Sequence, residues 1–381
     1  MKKLLLLAFI ASLSMGGAVA QSPRPTNQTG AQLTPASVSL STTNANQAVI
    51  SSLANLPDAD MLVYINPQRI LNEVVPKVMP AKDVEEMRKD FEEVKKNFNV
   101  DPTKVEYIVL AIRFKKPTGD LKFQPPEALV VTGGDFSAES LIGLARMATQ
   151  GQMRDETYGG KTLGLMKIDP IAKEAEKNPF LRGFSEVGVV ALTGSSLAAG
   201  TPAYLRSAID AADGKGRISM DTLNSLVRDS NALISIAGRP LQSFAKSFGL
   251  LGTETTERAN PCETKMGDFY AAVTMDATNF IVRGAINEDN PDTAKIVTNL
   301  LSGLLGYASS SIPDPSAQAM LKNIVLAAEG DDVTVRADLN QQMVIDTIKK
   351  QMAPKKDEAA ASEAPKTPAK ARPRRRTKRR T

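Results

Sequence analysis

The stretch Asp60-Met61-Leu62-Val63-Tyr64-Ile65-Asn66-Pro67 decides the fold class. Asp60 to Ile65 is an aliphatic and aromatic run of strand length. Asn66 is a good helix cap, and Pro67 fits the first helical position, so the spacing predicts that the strand runs straight into a helix. Ile70, Leu71, Val74, Val75 and Val78 fit one face of that helix. Val84, Met87, Phe91, Val94 and Phe98 then recur at steps of three and four, a second amphipathic helix spanning 81 to 98 that Asp101-Pro102 ends. Strands follow at Val105 to Phe114 and Glu127 to Thr132, then a helix capped near Ser137 with Leu141, Ile142, Leu144 and Ala145 inward. A strand pair near Thr162 to Ile168 and Val187 to Leu192 precedes a helix that starts at Thr201-Pro202 and carries Leu205, Ala208, Ile209 and Ala212 on its face.

The same order of elements returns further on. Ala232 to Ala237 reads as a strand, Pro240 to Phe248 as a helix, and Asp268 to Met275 with Phe280 to Ile286 as a strand pair. Asn290-Pro291 caps a helix whose Ile296, Val297, Leu300, Leu301, Leu304 and Leu305 are expected inward. After a Ser/Pro loop come strands Asn323 to Ala328 and Val333 to Ala337 around the turn Glu329-Gly330-Asp331-Asp332, and Asp338 is expected to cap a last helix, Leu339 to Met352. The expectation is an α+β fold of two tandem repeats with antiparallel sheets, 49–225 and 226–352. Each repeat is a strand-helix-strand-strand-helix-strand-strand-helix unit.

Outside this body the composition changes. Lys2 and Lys3, the apolar run Leu4 to Leu13 and the small residues Ala18-Val19-Ala20 have the layout of a secretory signal, so a mature chain from Gln21 is expected. The run is shorter than the roughly 20 residues that span a bilayer. No cysteine follows the small residues to accept a lipid. Residues 21–48 are Ser, Thr, Asn, Gln, Pro and Ala with few large apolar side chains, a polar linker. Residues 353–381 are Pro, Ala, Lys and Arg, also expected to be disordered.

Leu56-Pro57-Asp58-Ala59-Asp60, Leu62-Val63-Tyr64-Ile65-Asn66 and Arg69-Ile70-Leu71 open the body. With Phe123-Gln124-Pro125-Pro126-Glu127, Gly134-Asp135-Phe136-Ser137 and Asp268-Phe269-Tyr270-Ala271-Ala272-Val273, this chain resembles a family of uncharacterised exported bacterial proteins over most of residues 55 to 350. The resemblance implies secretion and a shared fold, and it brings no catalytic residue.

Composition excludes several chemistries. With no histidine the chain builds no Ser-His-Asp or Cys-His site, no H-E-x-x-H zinc site and no imidazole relay. The lone Cys262 forms no intramolecular disulfide and no Cys-rich metal cluster, and no phosphate-binding Gly loop is present. No cofactor and no metal is expected. Ser243-Phe244-Ala245-Lys246 has the S-x-x-K spacing that sets a serine nucleophile and a lysine base on adjacent helical turns, as in penicillin-binding enzymes. It stands without an S-x-N or K-T-G partner, so a plain surface helix is the expectation and a serine hydrolase using Ser243 and Lys246 the alternative. Cys262, behind Pro261 in a polar loop, has no histidine to depress its pKa and reads as an inert thiol. Glu329, Asp331 and Asp332 lack the alternating ligand spacing of a calcium loop and read as an ordinary hairpin.

The tail carries the charge. From Pro354 to Thr381 there are eleven Lys or Arg against three Asp or Glu, a surplus of eight in a chain whose total is +5, so the rest is net negative. Lys366, Lys370, Arg372, Arg374, Arg375, Arg376, Lys378, Arg379 and Arg380 are the expected polyanion-binding residues, acting by counterion release. In an exported protein, periplasmic or extracellular, the expected partners are an anionic envelope polymer or lipid headgroups. The expected function is a non-enzymatic envelope protein, with a partner- or ligand-binding body tethered by this tail. Nucleic-acid binding through the tail is the other alternative, against which the leader argues.

Overall fold

A computed structural model describes residues 44–115, 126–167, 185–239, 267–288, 290–312 and 315–352. Helix α1 (Asn44–Leu53) starts inside the stretch read as linker. Strand β1 (Met61–Ile65) then runs into α2 (Pro67–Arg69), where Asn66 Oδ1 accepts from the Arg69 amide at 3.1 Å as its sequence position requires. The helix continues through a π turn (Ile70–Val74) into α3 (Val75–Val78). Pro76 supplies a physical reason for the wider turn: it has no N–H to donate, and its ring crowds the carbonyl four residues back. Helix α4 (Ala81–Phe98) ends at Asn99, which takes a left-handed φ of 53°.

Strands β2 (Val105–Arg113) and β3 (Glu127–Gly134) lead to α5 (Ala138–Ala148), capped by Ser137. Four strands follow, β4 (Arg154–Tyr158), β5 (Lys161–Lys167), β6 (Glu186–Thr193) and β7 (Ser196–Gly200), where the sequence predicted two. Arg-Asp-Glu-Thr-Tyr is too charged, and Ser-Leu-Ala-Ala-Gly too small, to show a strand's apolar rhythm. Helices α6 (Pro202–Ala212) and α7 (Met220–Leu226) precede β8 (Ile234–Gly238), β9 (Phe269–Met275) and β10 (Asn279–Asn287). Then come α8 (Pro291–Ser311), α9 (Pro315–Lys322), β11 (Ile324–Glu329), β12 (Asp332–Asn340) and α10 (Gln341–Met352). Asp338 lies within β12. The last helix is capped instead by Asn340, whose Oδ1 accepts from the Met343 amide at 3.2 Å. The helix expected at Pro240 to Phe248 lies outside the described residues.

Among the described residues all twelve strands join one antiparallel sheet, not several, in the order β11-β12-β10-β9-β8-β1-β2-β3-β7-β6-β5-β4. Strands β1 and β8 are its central seam, with Met61 opposite Gly238 and Ile65 opposite Ile234. From this seam β2, β3, β7 and β6 step outward on one side and β9, β10, β12 and β11 on the other.

Cross-strand partners share a face of a sheet. Val190, Ala198, Val131, Val109, Tyr64, Ser235 and Ala272 make one such row on the first face. All of them are buried, and α6 and α7 pack over them through Leu205, Ile209, Leu223 and Leu226, each fully buried. Burying an aliphatic side chain of this size contributes about 1.5–3 kcal/mol, so the main core lies here. The row continues to Arg283, Arg336 and Val325 at the far end, where the same face opens to water.

Candidate functional site

The second face of the sheet is the candidate. One residue along each strand from those above lies the row Val189, Ala199, Val130, Leu110, Val63, Ile236, Ala271, Gly284, Val335, Leu326, crossing ten strands. Every member is apolar, so β1, β2 and β3 read Met-Leu-Val-Tyr-Ile, Ile-Val-Leu-Ala-Ile and Ala-Leu-Val-Val without the alternation of a half-solvated strand, and β8 is interrupted only by the buried Ser235. Runs of this kind belong to strands meant to be covered on both faces. Yet only Gly284 of this row is buried; Val130 is 37% exposed and the others are intermediate.

Helix α8 borders this face. Ala294 and Val297 pack on Ile286 and Val333, which pair with one another across β10 and β12 on the side of Gly284 and Val335. Asn290 fixes the helix start by accepting from the Thr293 amide at 2.9 Å. The inward face expected for α8 is only partly right. Val297 is buried and Leu301 packs against the small cluster, but Ile296, Leu300 and Leu304 are exposed at 51%, 43% and 38%. Those three lie at steps of four, so α8 carries a second apolar stripe beside the packed one. After Lys295 the helix contains no charged residue.

Polar chemistry gathers elsewhere. Buried Glu127 accepts from Arg113 Nε at 2.8 Å and faces Lys115 Nζ at 3.4 Å, while the Arg113 guanidinium stacks 4.5 Å from the Tyr204 ring centre. Burial drives the Tyr204 hydroxyl far above its ordinary pKa, and that hydroxyl donates to the Asp58 carbonyl at 2.9 Å. Asp60, just ahead of β1, is also raised: burial outweighs the hydrogen bond that it accepts from the Phe114 amide at 2.7 Å. This cluster ties β1, β2, β3 and α6 together and leaves its carboxylates engaged. A shallow groove of about 440 Å³ lies between α3, the β9–β10 turn and the start of α10. Its polar groups also partner one another: Lys77 Nζ donates to Gln341 Oε1 at 2.8 Å, and Gln341 Nε2 donates to the Asp276 carbonyl.

Ser243, Lys246, Cys262 and the whole basic tail lie outside the described residues. The acidic turn is a two-residue hairpin loop, Gly330-Asp331, entered at a left-handed φ of 65° that suits glycine. Asp332 there accepts from Asn287 Nδ2 at 2.9 Å. Among the described residues no group of three or more His, Cys, Asp or Glu could hold a metal, and no helix is long and apolar enough to cross a membrane. The sequence reading missed this partly covered apolar face, although the unbroken apolar runs were its signal.

No family model and no curated protein matches the chain. Among solved structures it is similar to crystal form III of TP0453, with 9% identity and a TM-score of 0.43, over 78% of this chain and 97% of that one. Crystal form IV of TP0453 gives 10% identity and a TM-score of 0.41, over 81% of this chain and all of that one.

Proposed function

We propose that the protein is an exported, non-enzymatic binding protein of the cell envelope. Its α+β body takes a partner or ligand on the apolar second face of the sheet, and its basic tail holds it near an anionic polymer or lipid headgroups. The observation that carries this reading is the row from Val189 to Leu326: apolar side chains on ten strands, of which Gly284 is buried, Val130 is exposed and the other eight are partly covered. A contiguous apolar face that stays partly accessible to water is the kind of surface that takes a partner or ligand. We read the body as a duplicated unit, 49–225 and 226–352, because β1-β2-β3-β7-β6 and β8-β9-β10-β12-β11 leave the seam in matching order. A helix follows both β3 and β10, each capped by a side chain. The surplus of positive charge between Pro354 and Thr381 supplies the tether.

The test compares mature protein from Gln21, a version ending at Met352, and Val130→Asp, in binding to isolated envelopes across a salt series and in uptake of an apolar fluorescent dye. The expected result is salt-released envelope binding that the truncation abolishes, and dye uptake that Val130→Asp lowers while leaving the salt-dependent binding in place. Envelope binding that ignores both salt and the tail would overturn the tether. Absence of dye uptake would overturn the binding face.

A further inference from the structure

The two ends of the sheet are unlike. At one end β4 offers Arg154, Asp155 and Glu156, all engaged: Arg154 bridges Glu186 at 3.0 Å, Arg206 holds Glu156 at 2.5 Å, and Arg146 holds Asp155 at 2.5 Å. The Arg206 hydrogen bond keeps the Glu156 carboxyl below its usual range. Charged, ion-paired strands of this kind resist pairing with another chain. At the other end β11 is Ile-Val-Leu-Ala-Ala-Glu, uncharged until its last residue, and among the described residues it is hydrogen-bonded in the sheet to β12 alone. Val325 there is 60% exposed.

We propose that this edge is closed by a second copy of the chain, β11 pairing antiparallel with its own counterpart across a two-fold axis perpendicular to the sheet. Such an axis keeps the faces of the two sheets aligned, so a residue sits on the axis and partners share a face. With Leu326 on the axis, Val325 meets Ala327 of the second copy and Ile324 meets Ala328, none of them charged. Charge complementarity fixes the direction. Exposed Lys322 ends α9 just before β11, and exposed Glu329 and Asp331 lie just after it. Antiparallel self-pairing sets Lys322 of each copy opposite Gly330 of the other, between that copy's Glu329 and Asp331, so the same contact is made twice. A parallel arrangement would place Lys322 against Lys322 and the hairpin against the hairpin. The dimer joins two basic tails in one particle, which multiplies their hold on a polyanion without any new tail contact.

The experiment is the mass of the mature protein by light scattering across a concentration series, repeated for Val325→Lys, Lys322→Glu, and Lys322→Glu combined with Asp331→Lys. Wild type is expected as a dimer. Val325→Lys, which sets two new charges beside the axis and next to Arg336, is expected to weaken the dimer by more than about tenfold. Lys322→Glu is expected to weaken it about fivefold through two exposed ion pairs, and the added Asp331→Lys to restore it. A monomer at every concentration, or a dimer indifferent to Val325→Lys, would overturn the proposal. A dimer weakened by Val325→Lys but not rescued by the charge exchange would overturn the antiparallel register. None of these outcomes touches the envelope reading, which rests on the tail and the apolar face.

Discussion

Leu129 and Val130 are neighbours in β3 that look out from opposite faces of the sheet, and truncating each to alanine measures how far those faces differ. Leu129 is fully buried against the first face, in the row that holds Leu62 and Ala111. Removing it leaves a hole among side chains held by the surrounding strands, at a cost of about 2–5 kcal/mol. Val130 is 37% exposed on the second face. Its truncation removes two methyl groups worth about 0.8 kcal/mol each when fully covered, and with about two-thirds of that cover the loss is about 1 kcal/mol. The assay is urea unfolding of the chain from Gln21 followed by circular dichroism, with the difference taken from the midpoints at unchanged slope. Leu129→Ala is therefore expected to cost about three times as much as Val130→Ala. Equal costs would refute the reasoning, because they would mean that the second face is packed as tightly as the first and presents no surface to a partner.

Helix starts give a second test. Asn290→Ala removes the 2.9 Å cap on the Thr293 amide and should cost about 1 kcal/mol by the same assay. Thr201 heads α6 without a side-chain cap bond and its buried hydroxyl has no hydrogen-bond partner among the described residues, so Thr201→Val should be neutral or mildly stabilising. Asp60 predicts a pH dependence. Its folded pKa lies above the unfolded one because burial disfavours the charged carboxylate, so the penalty is full above the folded pKa, fades as pH falls through it and is gone below the unfolded value. Asp60→Asn, which keeps an acceptor for the Phe114 amide, should be more stable than wild type at neutral pH and equal to it in acid. The check is an unfolding series in urea across that range.

The elements that sequence located well are those with a local chemical signature. Asn66-Pro67, Ser137 and Asn290-Pro291 open helices where a side-chain oxygen accepts from a backbone amide three residues on. The hairpin at Gly330-Asp331 needed only a left-handed glycine between two apolar runs. What escaped was set by long-range packing. Strands β4 and β7 are held by their neighbours rather than by apolar content, and α9 looked like part of a Ser/Pro loop. Helix α8 carries leucines and isoleucines over more than one stripe, and periodicity cannot say which stripe the sheet will take. For the candidate site, the apolar runs of β1, β2 and β3 announced two faces to be covered, but not that the cover on one would be incomplete. That depends on where α8 and the other helices come to rest. Ser243, Lys246 and the tail cations fall outside the described residues, so the partly covered apolar face rather than any of them carries the reading of the body.

The seam between β1 and β8 has a kinetic consequence. Strands β2 and β3, β9 and β10, or β11 and β12 can find each other across short connections, whereas Met61 must meet Gly238 and Ile65 must meet Ile234 after nearly half the chain has intervened. Closing so long a loop is a loss of chain entropy that must be met before the seam's own bonds begin to repay it. The five registered pairs of the seam are therefore expected to form late, after the strands on either side have assembled. Until they do, both β1 and β8 present an unpaired apolar edge, and the interval before they join is when the chain is most exposed to pairing with the wrong partner.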